Sequence, residues 1–290
     1  MVTVATHDGN FHADEVFAVA ILKLVYPKIK VIRTREPDIY SKADIIVDIG
    51  KKYSPKKKLF DHHQNNLKGR KNGIPYASAG LVWKHYWNKI ANSKKVFEII
   101  DRKIMQPIDA LDCGVSLFDS KKDIFPYDIT SIISSFRPSW KEGDKNFDKN
   151  FHKAVWFSMK LLRREIKITT DKIEATKLVR KVIKKNKDKE YLILPKKMPW
   201  EESINSNSKI KFVIYQSSGG EWTARAVPKR GIGFNYDKKF PKKWAGLSKE
   251  KLSEITGVKD AIFCHKAGFA VFADSKEGII KLTEKALRNK

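Results

Sequence analysis

The chain has 290 residues, and its 59 Lys and Arg against 33 Asp and Glu give a formal net charge of +26. At roughly 150 residues per domain this length favours two domains, and a hydrophobic content of 41% excludes a globally disordered chain. The apolar stretch Val16–Leu22 is far shorter than the about 20 residues of a membrane span. We therefore expect a soluble, cytoplasmic protein with no membrane partner.

Short β-rich runs alternate with helical patterns over the first 120 residues. The patterns predict strands at Val2–Thr6, Val31–Thr34, Asp44–Ile49 and Lys58–Phe60, and helices at Asp14–Val25, Ala77–Ile90 and Lys94–Met105. This alternation indicates a doubly wound α/β domain with a parallel sheet, over about residues 1–140. Ligands of such domains bind beyond the carboxyl ends of the strands.

From Asn146 onward the pattern changes. Apolar residues recur every four positions from Phe147 to Met159, and a second helical run follows at Asp171–Lys187, so we predict a helical connector over residues 141–190. Further strands are predicted at Tyr191–Leu194, Ile210–Tyr215, Trp222–Val227, Ala261–Cys264 and Phe269–Phe272, with a closing helix at Lys276–Leu287. Residues 191–290 are thus expected to form a smaller α+β domain.

The positive charge is unevenly distributed. Residues 1–145 hold 25 basic against 17 acidic side chains, a net of +8, and residues 146–290 hold 34 against 16, a net of +18. Such an excess attracts polyanions, nucleic acid among them. Only 11 of the 59 basic residues are Arg, so a lysine-biased genome is an alternative explanation, and charge alone does not select a partner.

Acidic and imidazole side chains follow the predicted strands where those strands end. They are His7, His12, Asp14, Asp48, Asp61, His62 and His63, with Asp109 and Asp112 after a later helix. The ends of parallel strands share one edge of a sheet, where these groups would be costly to bury together without a cation. One or two divalent metals are the simplest solution, and mixed His/Asp ligation favours Mn²⁺, Zn²⁺ or Fe²⁺ over Mg²⁺.

Each group alone has a structural alternative. His7 can be a satisfied histidine at a strand end, His12 and Asp14 can cap the following helix, and Asp48 can stabilise a turn with Gly50. Adjacent histidines after a strand have little packing value. The conjunction of all four clusters is what favours a metal centre.

Several motifs, in order along almost the whole chain, resemble those of the melanocyte proliferating gene (Myg) family within the DHH phosphoesterase superfamily. The segments that carry the resemblance are His7–Glu15, Val47–Gly50, Asp61–Gln64, Arg70–Trp83, Trp244–Leu247 and Phe263–Phe269. The resemblance implies a DHH-like catalytic domain, metal-dependent hydrolysis and 3′-to-5′ exonuclease activity on RNA.

The resemblance also implies metal ligands. One metal would bind His7 and Asp48, and the other Asp14, the shared Asp48, His62 and Asp109, with Asp112 competing for the last position. His12 stands where the superfamily usually has an aspartate, which makes the first site richer in nitrogen. The metals are expected to be two Mn²⁺ ions, with Mg²⁺, Zn²⁺ or Fe²⁺ as alternatives. A water that both activate would attack phosphorus.

Other side chains are expected to hold the substrate. His63, which is not needed as a ligand, is predicted to bind a phosphate oxygen, together with Arg70 and Asn72, while the segment beginning at Ser78 would offer backbone N–H groups. In the second domain, the residues expected to hold phosphate are Arg225, His265 and Gly268. Base stacking is expected of Trp222, Trp244 and Phe269, although aromatic residues in such a domain also serve as core.

The leading hypothesis from the sequence is a divalent-metal-dependent exonuclease acting on single-stranded RNA or DNA. The first alternative is a small-molecule phosphohydrolase acting on dinucleotides, nucleotides or pyrophosphate. The second alternative is a nucleic-acid-binding protein whose metal site is not catalytic. The complete set of His and Asp residues argues against the last hypothesis.

Overall fold

A computed structural model describes residues 1–119, 122, 124–143, 146–204, 208–229 and 235–289. The chain divides into two compact units, Met1–Thr170 and Asp171–Lys290. The boundary between them falls inside one long helix, α7 (Phe147–Lys185). None of the described helices is both long enough and apolar enough to cross a membrane.

The first unit is built on a five-stranded sheet. Its strands are β1 (Val2–Thr6), β2 (Ile29–Arg33), β3 (Ile45–Val47), β4 (Tyr53–Ser54) and β5 (Leu59–Phe60). They lie in the order β2-β1-β3-β5-β4, and all neighbours are parallel except β4 and β5. The structure thus confirms the predicted α/β class with a mainly parallel sheet. β4 was not predicted from the sequence.

Six helices of the described chain precede α7. They are α1 (Ala13–Val25), α2 (Pro37–Tyr40), α3 (Ser78–Tyr86), α4 (Lys94–Ile100), α5 (Gln106–Asp112) and α6 (Ile129–Ser134). α1 is buried on every face from Ala13 to Leu22, because it packs both on the sheet and against α3. A π-helical turn, Asp101–Met105, joins α4 to α5, and such turns often occur near functional sites.

The second unit has its own five-stranded sheet, with α8 (Lys249–Thr256) and α9 (Lys276–Arg288). Its strands are β6 (Tyr191–Ile193), β7 (Phe212–Gln216), β8 (Trp222–Ala226), β9 (Ala261–Cys264) and β10 (Ala270–Ala273). The order is β6-β7-β8-β10-β9, with only β6 and β7 parallel. Each side of this sheet carries an apolar core, as expected for an α+β unit.

One long helix replaces the two that the sequence predicted between the sheets. α7 extends without interruption over 39 residues. Its buried side in the first unit includes Phe151, Val155, Leu162 and Ile166, which continues the predicted four-residue repeat. Burial of this apolar stripe keeps α7 helical through a segment whose intrinsic helix propensity is low.

Candidate metal centre

Three parallel strands of the first sheet end at a titratable side chain. His7 directly follows β1, Asp48 directly follows β3, and Asp61 directly follows β5. The register pairs Ala5 with Ile46, so that these strand ends lie side by side. All three residues are buried. The sheet therefore concentrates imidazole and carboxylate groups at its carboxyl edge, as the sequence predicted.

Asp48 lies at the centre of this group. Its Oδ2 is 3.4 Å from Nε2 of His7, and its Oδ1 is 3.3 Å from Nε2 of His62. The hydroxyl of Ser78 donates a hydrogen bond to Oδ1 at 3.3 Å. The two oxygens of one carboxylate thus face two different histidines, an arrangement suited to a ligand shared by two ions.

On one side of Asp48, the carboxylates of two further residues lie near His62. Nε2 of His62 is 3.3 Å from Oδ2 of Asp112 and 4.0 Å from Oδ2 of Asp14. The carboxylate of Asp14 is held by the first backbone N–H groups of α3, at 2.9 Å from Ser78 and 2.5 Å from Ala79. The amino end of α3 therefore fixes Asp14 in place and offsets part of its charge.

On the other side of Asp48, three residues of the first motif meet. Nε2 of His7 is 3.0 Å from Oε1 of Glu15, and ligand atoms of His7, His12 and Glu15 all lie within 4.8 Å of one another. Nδ1 of His7 lies 3.0 Å from the carbonyl oxygen of Asp8, while Nε2 faces the carboxylates of Asp48 and Glu15. Glu15 was not among the predicted site residues, although it belongs to the motif His7–Glu15.

The carboxylates raise the proton affinity of the histidines. Burial alone would lower the pKa of His7, but hydrogen bonds to Asp48 and to a second carboxylate outweigh it and raise the pKa to about 10. The same balance, with Asp112 and Asp48 as partners, raises the pKa of His62 above its usual range. Burial, followed by repulsion from Asp48 and Asp112, raises the pKa of Asp14. Protons are retained in this cluster unless another cation replaces them.

The residues fit a divalent metal. Two further sets of ligand atoms lie within 4.8 Å of one another, one from Asp48, His62 and His63, the other from Asp14, His62 and Asp112. Nε2 of His62 is buried and faces carboxylate oxygens, yet it makes no well-formed hydrogen bond. A buried nitrogen that faces carboxylate oxygens in poor hydrogen-bond geometry is costly unless another group satisfies it. Imidazole nitrogen together with carboxylate oxygen is a ligand set for Mn²⁺, Fe²⁺ or Zn²⁺.

His63 is oriented differently from His62. Its Nδ1 lies 2.8 Å from Oδ1 of Asp61, and its backbone N–H donates to the same oxygen at 3.0 Å. Asp61 also accepts the backbone N–H of Lys51. The imidazole of His63 is 56% exposed, and it lines the cavity above the metal cluster. Asp61 thus fixes a histidine that can meet a substrate.

Of the two candidates for the last ligand, the structure brings Asp112 to the cluster and keeps Asp109 away from it. The carboxylate of Asp109 is fully buried, 2.7 Å from Nη2 of Arg70 and 3.0 Å from the backbone nitrogen of Gly80. Gly80 is required there, since a Cβ atom would collide with Oδ2 of Asp109. Burial raises the pKa of Asp109 to about 7 despite Arg70. Asp109 therefore helps to hold α3 in place through its hydrogen bond to Gly80.

Arg70 lies apart from the cavity, in contrast to the prediction that it binds phosphate. Its side chain is only 6% exposed, and it forms two hydrogen bonds to Asp101, one to the carbonyl of Pro75 and an ion pair with Asp109. Its guanidinium also stacks on Tyr76, 3.9 Å from the ring centroid. These contacts use the donors of Arg70 to join α5 and the π-helical turn to the segment that precedes α3.

Two other predicted phosphate contacts are also engaged within the protein. Asn72 is exposed and donates to Gln106 at 2.9 Å. The N–H groups of Ser78, Ala79 and Gly80 are used by Asp14 and Asp109. They were expected to face an anionic ligand, and the anions they bind are the protein's own carboxylates.

Two arginines that the sequence analysis missed line the cavity instead. The cavity has a volume of about 400 Å³, and its lining includes Arg35 and Arg137 beside His7, Asp48 and Asp112. Arg35 is 66% exposed, and its Nη2 lies 3.3 Å from Nδ1 of His7. Nε of Arg137 donates to the carbonyl of Phe11. Their positions, just past β2 and α6, carried no motif that would have revealed them.

The substrate-binding residues predicted in the second unit stay predictions. Arg225 lies on β8, half-buried, with its guanidinium 5.6 Å from the ring centroid of Phe269. His265 accepts the N–H of Ala267, and Gly268 forms a turn with φ +67°. Trp244 is buried in the core, so it is not accessible for base stacking as proposed.

Comparisons with known proteins agree with the motifs. The family model MYG1_exonuc, described as Uncharacterised protein family (UPF0160), matches residues 3–287. The chain belongs to the MYG1 family. It is 31% identical to a MYG1 protein of Schizosaccharomyces pombe, covering 99% of this chain and 98% of that protein. It is 26% identical to the MYG1 exonuclease of Homo sapiens, covering 98% and 85%.

A solved structure also shows a distant likeness. RecJ from Thermus thermophilus, in complex with Mg²⁺, is 11% identical with a TM-score of 0.31, covering 99% of this chain and 50% of that one. A score this low does not establish a common fold. The MYG1 assignment depends on the family model and on the relatives that match over nearly their whole length.

Proposed function

We propose that this MYG1 protein is a divalent-metal-dependent phosphodiesterase, an exonuclease that removes nucleotides from the 3′ end of single-stranded RNA or DNA. The observation that carries the proposal is the cluster around Asp48, where two histidines face opposite oxygens of one buried carboxylate. Relatives of this chain are named MYG1 exonuclease, which supports a nucleic-acid substrate.

We assign two metal positions to the cluster. The first would be held by His7, His12 and Asp48, with Glu15 beside them, and the second by Asp14, Asp48, His62 and Asp112. The nitrogen-rich ligand set favours Mn²⁺ over Mg²⁺. Divalent ions bound there supply a reactive nucleophile from water at neutral pH and offset the negative charge of the phosphate.

The remaining side chains of the cavity orient the substrate. Arg35 and Arg137 provide guanidinium groups that suit phosphate oxygens. His63, held by Asp61 with its ring exposed, is placed to hydrogen-bond a phosphate oxygen or to donate a proton to the leaving oxygen. Imidazole and guanidinium groups that line one cavity stabilise the negative charge that develops at phosphorus.

The size of the cavity favours a terminal over an internal linkage. At about 400 Å³ it lies at the lower end of the range for ligand sites, enough for about one nucleotide. A dinucleotide with one of its two nucleotides in the cavity would satisfy the same volume, so hydrolysis of short oligonucleotides or nucleotides is the second candidate. The two candidates predict different results for a long strand: an exonuclease shortens it stepwise, whereas a hydrolase of short substrates leaves it intact.

A hydrolysis assay tests the proposal. The substrates are single-stranded RNA and DNA of about twenty nucleotides, labelled at either end, and a dinucleotide, and each is incubated with the protein in Mn²⁺ or in a chelator. We expect a ladder shortening from the 3′ end with Mn²⁺ and none with the chelator. Cleavage of the dinucleotide alone would select the second candidate. No hydrolysis of any phosphodiester with Mn²⁺, Mg²⁺, Fe²⁺ or Zn²⁺ would contradict both.

The two adjacent histidines provide a matched pair of variants. His62→Ala removes the nitrogen that faces three carboxylates and is expected to lower the metal content of the purified protein. His63→Ala should retain metal and slow hydrolysis. Metal analysis of both variants beside turnover checks these roles. Equal metal loss in the two would mean that the assignment of the pair is wrong.

A further inference from the structure

The exposed side of α7 in the first unit carries a stripe of basic residues interrupted by one tryptophan. At 100° per residue, positions separated by three or four residues lie on one helix face. This basic–aromatic stripe consists of Lys149, Lys153, Trp156, Lys160 and Arg163, all exposed. The opposite face holds the buried Phe151, Val155 and Leu162, so the packing of α7 does not account for the stripe.

Trp156 is the unusual member of the stripe. It is 55% exposed, and Nζ of Lys160 lies 3.9 Å from the centroid of its ring. Beside it lies a shallow groove of about 540 Å³ lined by Phe136, Lys149, His152, Lys153, Trp156 and Phe157. Phe136 and Phe157 pack against each other at 5.7 Å between centroids. The groove thus combines an aromatic floor with lysines at its rim.

The cations of the stripe are not neutralised by the acidic residues nearest along the helix. Asp148 is paired with Arg33 at 2.7 Å, and Glu165 is paired with Lys103 at 2.6 Å. No salt bridge between described residues involves a member of the stripe. The stripe itself carries a charge of +4 from three Lys and one Arg. Glu142, which accepts the backbone N–H of Ser139 at 2.6 Å, lies near Lys153 and offsets part of that charge. The remaining positive excess complements a polyanion.

The groove adjoins the metal-centre cavity along the chain. Phe136 lines the groove, and the next residue, Arg137, lines the cavity with Thr130 and Ser134 of α6. A strand with its end in the cavity can therefore continue past Arg137 onto the stripe. Alternating cations and aromatic faces are what a single strand requires, since phosphates pair with the cations and unstacked bases lie on the rings.

We infer that the basic–aromatic stripe of α7 and its groove bind single-stranded nucleic acid without sequence preference, with a base stacked on Trp156. This inference extends the proposed function by giving the body of a long substrate its binding surface. A double-stranded ligand is disfavoured because its bases are not free to stack. An acidic protein has no nucleobase to stack on Trp156, so it would not explain a loss of affinity on Trp156→Ala that is confined to oligomers with bases.

The test measures binding without hydrolysis, so that failure of the proposed activity and failure of this inference are separable. Fluorescence anisotropy of a labelled twelve-residue oligouridylate is recorded in a chelator, with wild type, Trp156→Ala and Trp156→Phe, and again with an abasic oligomer of equal length. We expect Trp156→Ala to weaken binding of oligouridylate about tenfold, Trp156→Phe to restore most of it, and both to bind the abasic oligomer like wild type.

The lysines are tested by salt dependence. Lys149→Gln, Lys153→Gln and Lys160→Gln combined should reduce the log–log salt slope by about 2, at roughly 0.7 per phosphate contact. The matched control combines Lys42→Gln, Lys56→Gln and Lys57→Gln, which removes the same charge from exposed positions that precede β3 and β5, at the edge of the sheet opposite the metal centre. The control should retain the wild-type slope.

Several results would overturn the inference. One is equal affinity of wild type and Trp156→Ala for oligouridylate, and another is equal weakening for the abasic oligomer. Equal slopes for the stripe variant and its control would also contradict it. Sedimentation that shows a wild-type dimer and a Trp156→Ala monomer would assign the face to a second copy instead. Hydrolysis of a dinucleotide with Mn²⁺ should be unchanged in Trp156→Ala, because the ring lies outside the metal-centre cavity.

Discussion

Asp48 combines a strained backbone with a central position in the candidate metal centre. Its φ is +57°, a conformation that costs free energy for most residues with a side chain but that aspartate and asparagine tolerate. The left-handed turn directly after β3 holds the carboxylate between His7 and His62. Backbone strain at such a position is typical of functional sites. The metal assignment therefore depends on Asp48 more than on any other residue.

We predict that Asp48→Asn lowers metal-dependent phosphodiester hydrolysis at least about a hundredfold. Asparagine tolerates the same backbone conformation as aspartate, so the fold should be retained. Both metal positions, however, lose a shared negatively charged ligand. Turnover and metal content are measured beside Asp38→Asn, an exposed control on α2. Turnover of the Asp48 variant above about one per cent of wild type would contradict the shared-ligand assignment.

Arg70 and Arg35 should respond differently to substitution by lysine. Arg70→Lys loses the paired contacts to Asp101 and leaves Asp109 buried without its partner, so we expect a loss of about 3 kcal/mol in the free energy of unfolding. Arg35→Lys should leave stability within about 0.5 kcal/mol of wild type and raise KM. Chemical denaturation and initial rates of both variants check this. A raised KM with unchanged stability in Arg70→Lys would instead support the original prediction that Arg70 binds the substrate.

The sequence predicted that these imidazole and carboxylate groups lie together, because strand ends are visible in the hydrophobic pattern; that they bind metal stays a prediction. It could not choose between Asp109 and Asp112, since residues three apart lie on the same helix face. The structural difference is the buried Arg70, which reaches Asp109 from a distant segment. Arg35 and Arg137 were missed for the same reason, because only tertiary structure brings them to the cavity.

At the scale of elements, α7 shows where local pattern and tertiary packing disagree. The sequence from Ile166 to Thr170 is rich in β-branched residues, which lower helix propensity. The sequence therefore predicted one helix before this segment and a separate helix after it. Ile166 and Thr169 are buried in the structure, and this packing supports helix through the segment. The boundary between the two compact units lies at this point, between Thr170 and Asp171.

A single substitution distinguishes one helix from two. Thr170→Pro would be tolerated at the start of a second helix, where no hydrogen bond is lost. In a continuous α7 it removes an internal hydrogen bond and should cost about 3 kcal/mol in the free energy of unfolding. The control Thr170→Ala should be neutral or slightly stabilising, because alanine has the higher helix propensity. Equal stability of the two variants in urea would show that the helix is interrupted.

At the scale of the whole molecule, the candidate metal centre joins parts of the first unit that are distant in sequence. Its candidate ligands follow β1, β3 and β5 and lie on α1 and at the end of α5, from His7 to Asp112. An ion that binds only this folded arrangement stabilises it by mass action. Metal binding also competes with the protons that His7 and His62 hold in its absence.

Metal affinity should therefore rise with pH. The pKa of His7 is raised to about 10 by its carboxylate neighbours, and that of His62 is raised as well, so both are protonated at pH 7 without a metal and must release a proton to bind one. We expect release of roughly one to two protons per chain on saturation with Mn²⁺. Calorimetry between pH 6 and 8, in buffers of different ionisation enthalpy, measures it. Affinity independent of pH over this range would contradict the imidazole ligands.

The most direct test of the two-metal centre is the number of Mn²⁺ ions bound per chain, measured together with hydrolysis of a single-stranded oligonucleotide as metal is added. We predict about two ions at saturation, with turnover that increases as the second position fills. Asp112→Asn should lower the number bound, and Asp109→Asn should not, because Asp109 contacts Arg70 and Gly80 instead. Wild-type protein that binds no Mn²⁺, or that hydrolyses the oligonucleotide equally well in a chelator, would contradict the account.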